Sequence, residues 1–125
     1  MTLFPHPLRL EDAGLVGDTR LFRLLHHYAY RSSLGVVTVP AGFVTDLASI
    51  PRPLWSAFSF AGPWMGPAVI HDFLYTEANV RFTRKQADQI FKEAMFNIGI
   101  DWPRREAIYR AVRLFGFPNY EGLRP

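Results

Sequence analysis

Apolar positions change their period near the middle of the chain. Before about residue 45 they fall in short β-rich runs, and beyond residue 51 they recur at helical spacing. Leu21-Phe22-Arg23-Leu24-Leu25-His26-His27-Tyr28-Ala29-Tyr30 and Val36-Val37-Thr38-Val39 are separated by Ser32-Ser33-Leu34-Gly35, a short polar segment ending in glycine. That arrangement predicts a β-hairpin. Pro40-Ala41-Gly42 then bends the chain, and Phe43-Val44 opens another short strand. A sheet of this size is marginal alone and needs helices packed on it.

The second half predicts about four helices. The first follows Pro51, because prolines at 51 and 53 fit a first helical turn, where no intrahelical donor is lost. The second runs from Gly66-Pro67 to about Thr76. The third opens at Thr83-Arg84-Lys85-Gln86, a capping-box pattern, and Gly99 ends it. Its apolar positions are Ala87, Ile90, Phe91, Ala94, Met95 and Ile98. The fourth starts near Asp101, an N-cap ahead of Trp102-Pro103, and is expected to bury Ile108, Ala111, Val112 and Phe115 before Gly116. The expected fold class is α+β: a small antiparallel hairpin or sheet in the N-terminal third against the C-terminal helices. Residues 1–18 are an N-terminal extension, 19–45 the β-rich part, 46–52 a polar loop, 53–116 the helical part and 117–125 a tail.

A chain of 125 residues, 49% hydrophobic and 20% charged, is the size of one domain with its own core. Eleven Phe, five Tyr and three Trp make that core one of large rings, with Trp55, Trp64 and Trp102 as core or rim. With no cysteine, disulfides, thiolate zinc sites and a cysteine nucleophile are excluded. No apolar run is long enough for a bilayer, and Met1-Thr2-Leu3-Phe4-Pro5-His6-Pro7 lacks the features of a signal peptide, so synthesis and retention in the cytoplasm are expected. The net charge of +3 comes largely from arginines, among them Arg104, Arg105, Arg110 and Arg113. They suit phosphate or an acidic partner, but no nucleic-acid motif accompanies them, and the reading taken is a solvated helix face.

Chemistry concentrates in two places. On the second helix, Ala68, His71, Asp72 and Tyr75 follow i, i+3, i+4, i+7 and share one side, opposite Val69, Ile70, Phe73 and Leu74. An imidazole, a carboxylate and a phenol so placed suit a divalent metal or proton transfer; they equally suit a lock between helix and loop. The loop Gly42-Phe43-Val44-Thr45-Asp46-Leu47-Ala48-Ser49-Ile50-Pro51-Arg52 carries Thr45, Asp46, Ser49 and Arg52 between apolar anchors at 43, 44, 47, 48 and 50. Asp46 also suits an Asx-turn, and Ser49 a cap on the helix at Pro51. Asp88, beside the apolar stripe of the third helix, is a further ligand or the partner of an arginine such as Arg84 or Arg52. His26 and His27, read as strand residues, face opposite sides, so at most one reaches the site.

The 42–52 loop, Ile70-His71-Asp72-Phe73-Leu74-Tyr75, Arg84 with Ala87-Asp88 and Phe91, and Ala111-Val112-Arg113-Leu114-Phe115-Gly116 together resemble a family of small phage and prophage proteins. It is classified only as a domain of unknown function, number thirteen fifty-three. The resemblance covers roughly residues 20–117 and implies a phage origin, with synthesis in a host cytoplasm and a place in the virion as one destination. It implies no activity.

Three functions compete. The first is a hydrolase in which Asp46, His71, Asp72 and Asp88 hold zinc or manganese, with Tyr75 beside them and cell-wall peptidoglycan as substrate. A metal-free form uses Ser49 as nucleophile, His71 as base and an Asp as orienter, without the glycine elbow that usually exposes such a serine. The second is a virion, tail or assembly component that binds other phage structural proteins, partly through Phe117-Pro118-Asn119-Tyr120. Nucleic-acid binding through the C-terminal arginines is the third and the least expected, and no membrane insertion is expected.

Overall fold

The computed structural model describes residues 2–46, 64–76 and 81–115. Five strands come first: β1 (Leu10–Val16), β2 (Thr19–Leu24), β3 (Tyr28–Ser32), β4 (Gly35–Val39) and β5 (Val44–Thr45). Three helices follow: α1 (Met65–Leu74), α2 (Arg84–Asn97) and α3 (Trp102–Phe115). The fold is thus mixed α+β, with three helices among the described residues rather than four; the helix expected after Pro51 lies outside them.

The strands form two sheets, one ordered β1-β2-β5 and the other a β3–β4 hairpin, with every pairing antiparallel. Residues 10–16, expected within an extension, are therefore a strand. Its pattern was hidden by a register shift between Asp12 and Gly14, which breaks the two-residue alternation, and by its exposure to solvent. Gly14, at φ +96°, takes a conformation that side chains resist, and its N–H donates to Asp12 Oδ1 at 2.7 Å. The run 21–30, read as one strand, is two: residues 25–27 carry the chain from the first sheet to the second.

The hairpin packs against α1 and α2. Tyr28, Tyr30, Val37 and Val39 point inward and are buried with Ile70, Leu74, Phe91 and Met95. Each such side chain contributes about 1.5–3 kcal/mol by leaving water. Glu93 of α2 ties the helix to the hairpin: it accepts from Tyr30 Oη at 2.7 Å, Ser33 N at 2.9 Å and Ser33 Oγ at 2.6 Å. Gly66, in the first turn of α1, lies under Tyr28 so closely that a Cβ there would fall 3.1 Å from Tyr28 Cζ and closer still to its hydroxyl.

The ends of α2 follow its sequence. Thr83 Oγ1 accepts from Gln86 N at 3.2 Å, and Gln86 Oε1 accepts from Thr83 N at 2.9 Å, completing the capping box. At the other end Gly99, at φ +96°, donates to Phe96 O, and Ile100 N donates to Met95 O at 2.9 Å. This is the paired closure of a Schellman motif, and it turns the chain back into α3. The two 14-residue helices run antiparallel, so the start of α2 meets the end of α3. Ile108 and Val112 are buried and Ala111 is half-buried, but Phe115, expected inside, is 68% exposed. Arg84, the first residue of α2, already contacts the carbonyls of residues 112 and 113, so Phe115 lies beyond the surface α2 offers.

Candidate functional site

Helix α1 is apolar on nearly every side, and the face read as polar is among its most deeply buried. Ala68, His71 and Tyr75 have at most 2% of their surface exposed, while Asp72 is half-buried. The reason is α2, which lies alongside. Asp88, fully buried, meets this face. His71 Nε2 stands 2.7 Å from Asp88 Oδ1, and Tyr75 Oη donates to the same oxygen. The His71 ring is stacked on Phe91, with centroids 4.3 Å apart, and tilted against Tyr75 at 4.2 Å.

The other carboxylate oxygen belongs to arginines. Arg113 Nη1 donates to Asp88 Oδ2 at 2.7 Å, and Arg84 Nη1 lies 3.6 Å away. Arg84 also donates to the main-chain carbonyls of Val112 at 3.2 Å and Arg113 at 3.4 Å. Those carbonyls belong to the last turn of α3, where they have no helical partner and where the helix dipole favours a cation. One carboxylate thus joins all three helices.

Protonation follows from the surroundings. Burial lowers the pKa of His71 more than the Asp88 hydrogen bond and charge raise it, and Arg84 lowers it further, so the imidazole is neutral. Burial pushes Asp88 upward, but hydrogen bonds from His71, Tyr75 and Arg113 outweigh it and keep the carboxyl below its usual range, ionised. Burial, then the bond to Asp88, raises the Tyr75 phenol. A neutral imidazole facing an ionised carboxylate carries its proton on Nε2. That leaves Nδ1 with a lone pair, and among the described residues this buried atom has no hydrogen-bond partner.

The expected constellation is therefore gathered only in part. His71, Tyr75 and Asp88 come together, with Arg84 as the expected partner. Asp46 and Asp72 are both half-buried, and β5, just before Asp46, packs on α1. The ligand atoms of Asp46, His71, Asp72 and Asp88 do not form a group of three within 4.8 Å of one another. Asp88 is a hydrogen-bond partner of His71. Ser49 and Arg52 lie outside the described residues, as do the anchors at 47, 48 and 50. Of the remaining anchors, Phe43 packs edge-on against Phe73 of α1 at 5.4 Å, whereas Val44 is exposed.

Arg113 is the residue that sequence reasoning missed. It was grouped with a solvated face, yet it is half-buried on Asp88. The signal was present: two helices of equal length joined by a short turn bring Arg113 opposite the first turns of α2. Of the other arginines in that group, Arg104, near Asp101, and Arg110 are exposed, while Arg105 is half-buried over the Phe96 ring and donates to Ile100 O at 3.1 Å.

These features define a class before any relative is considered: a small α+β domain whose helices share a buried His–Asp–Tyr–Arg cluster. The chain belongs to the family described as "Protein of unknown function (DUF1353)", which it matches over residues 22–112. No curated protein and no solved structure matches it.

Proposed function

We propose that this chain is a hydrolase in which His71 accepts a proton from the attacking nucleophile and Asp88 orients and electrostatically supports it. The observation that carries the reading is the His71 ring itself. Nε2 is spent on Asp88 while Nδ1, equally buried, keeps an unused lone pair. Leaving such an acceptor unpaired in the interior costs about 1–3 kcal/mol. A ring held in one tautomer by a carboxylate, with its second nitrogen available, is what a general base requires. When Nδ1 takes a proton, the ionised Asp88 stabilises the imidazolium, while Arg84 and Arg113 keep Asp88 from taking the proton itself. Tyr75, held neutral, stays a donor to Asp88 and helps fix its orientation.

The family resemblance suggests a phage setting, and there cell-wall peptidoglycan is the first substrate to try. Purified sacculi carrying a covalent dye would release it with wild-type protein. His71→Gln, shown to be folded by circular dichroism, should lower the rate by about 100-fold or more. Sacculi left intact by wild-type protein would remove this substrate, and unchanged release by His71→Gln would remove His71 as the base.

A second reading has its own support. Asp88 is fully buried with both oxygens engaged, an arrangement suited to tying helices together in a non-enzymatic virion, tail or assembly component. Stoichiometric recovery of the protein in purified particles, with normal assembly of a phage carrying His71→Gln, would favour it.

A further inference from the structure

A second group of histidines lies away from the buried cluster. His26 and His27 occupy the turn between β2 and β3, and His6 belongs to the segment that precedes β1. One ring nitrogen from each lies within 4.8 Å of the others, and no other set of three such ligand atoms occurs among the described residues. We propose that His6, His26 and His27 form a binding site for a divalent transition-metal ion, zinc first among them, with the remaining position open to water.

The spacing fits one ion. His27 Nε2 and His6 Nε2 are 3.1 Å apart. Two nitrogens bound tetrahedrally at zinc–nitrogen distances of 2.0–2.1 Å would be separated by about 3.4 Å. Without an ion, two neutral imidazoles at such a distance share a single proton. A metal replaces that proton and uses both lone pairs. His26 Nδ1 is 2.8 Å from the carbonyl oxygen of His27, which can only accept, so the proton of His26 sits on Nδ1 and its Nε2 carries the lone pair. Orientation of a ligand ring through its other nitrogen is a regular feature of metal-binding histidines.

The carriers are held in place. Pro5 and Pro7 flank His6 and restrict the backbone on either side of the bend it occupies. On one side of it, Arg31 N donates to Leu3 O at 2.9 Å and the Phe4 ring stacks on Tyr30 at 4.7 Å. On the other side, Leu25 N donates to Arg9 O at 2.9 Å, joining the His6 segment to the His26–His27 turn. His26 and His27 are stacked with centroids 4.1 Å apart, and His6 meets His27 edge-on at 4.3 Å. His26 and His27 are exposed and His6 is half-buried, so an ion from solution can enter directly. Three nitrogens without a carboxylate select zinc, copper, nickel or cobalt over calcium or magnesium.

The test is titration of the tag-free full chain with zinc chloride by calorimetry, alongside the visible spectrum of the cobalt complex. Wild-type protein should saturate at one zinc per chain, and cobalt should give the intense absorption of a four-coordinate nitrogen site. His6→Gln and His27→Gln should each weaken zinc binding by more than about 100-fold, the upper end of what loss of a ligand's hydrogen-bond partner alone costs. His27 is exposed, so its variant serves should His6→Gln loosen the N-terminal segment. Absence of zinc binding, equal binding by both variants, or half an ion per chain bridging two molecules would each overturn the proposal.

Discussion

His71 and the trio His6, His26 and His27 are the same chemical group under opposite conditions. His71 is buried where α1 meets α2, has a carboxylate on one nitrogen and two guanidiniums just beyond, and is held to one tautomer. In the trio His26 and His27 are exposed and His6 is half-buried, the three rings contact one another, and no acidic partner occurs among the described residues. Under the proposed function, the first setting makes a proton acceptor whose charge, once formed, Asp88 stabilises. The second makes a set of lone pairs that repel as cations and are best satisfied by a shared metal ion. Neighbours, not residue type, decide the chemistry, and the two regions are also unequal in what the fold stands to lose if they are altered.

The largest effect is expected at Asp88. Asp88→Asn keeps the shape but leaves Arg84 and Arg113 beside a neutral amide in a dry interior. Breaking a buried charge network in this way costs about 3–5 kcal/mol, to be read from urea unfolding. A loss below about 1 kcal/mol, the range of an exposed pair, would put the cluster on the same footing as the surface trio and break the comparison.

Acid should separate the two regions next. In the folded protein His71 has a pKa below 6.5, whereas the unfolded chain protonates there near that value. Unfolding therefore takes up a proton, and the stability owed to neutral His71 is complete above pH 6.5 and declines as the pH falls below it. Asp88, folded, titrates below 3.8, so its contribution persists above that value and is lost as the pH falls through its own lower pKa. Unfolding free energy should therefore drop in two stages, the first with a slope of at most about 1.4 kcal/mol per pH unit. His71→Gln should lack that share of the first stage. An identical profile in the variant would mean that His71 is not held neutral.

Much of this was legible beforehand, for physical reasons that vary by element. The capping box of α2 and its glycine stop are local devices, written in adjacent residues, and the structure carries both. His71, Tyr75 and Asp88 could be singled out because polar groups on or beside apolar stripes need a reason to be there. Their partner Arg113 could not be read in the same way, since the pairing depends on how two helices lie together. That α2 covers the His71 face of α1 was not legible, because a wheel shows which residues share a side, not which neighbour covers it. Strand β1 was obscured by its bulge, and residues 25–27 by a run of strand-forming residues that concealed a change of sheet. That last error mattered most: with His26 and His27 on one strand their rings point apart, whereas in a turn they stack and His6 joins them.

A smaller effect probes how Arg84 is delivered to the cluster. Thr83 closes the cap one residue earlier, so Thr83→Ala should fray the first turn of α2 and cost about 1 kcal/mol. Part of that cost should disappear in the Asp88→Asn background, where Arg84 has less to hold. Full additivity in a double-mutant cycle would show that the cap and the buried network are independent.

The smallest effect is expected at the trio, and its smallness is informative. His27 is exposed, and its ring contacts are to other histidines, so His27→Gln without metal should change the unfolding free energy by no more than about 0.5 kcal/mol. With zinc present the two proteins should part. Wild type gains stability by selective binding to the folded state, by about 2.7 kcal/mol when free zinc is 100 times its dissociation constant, and the variant gains less at the same concentration. Melting curves with and without zinc measure both effects. A variant that is strongly destabilised without metal would make the trio a packing element like the buried cluster, and the contrast between the two regions would be lost.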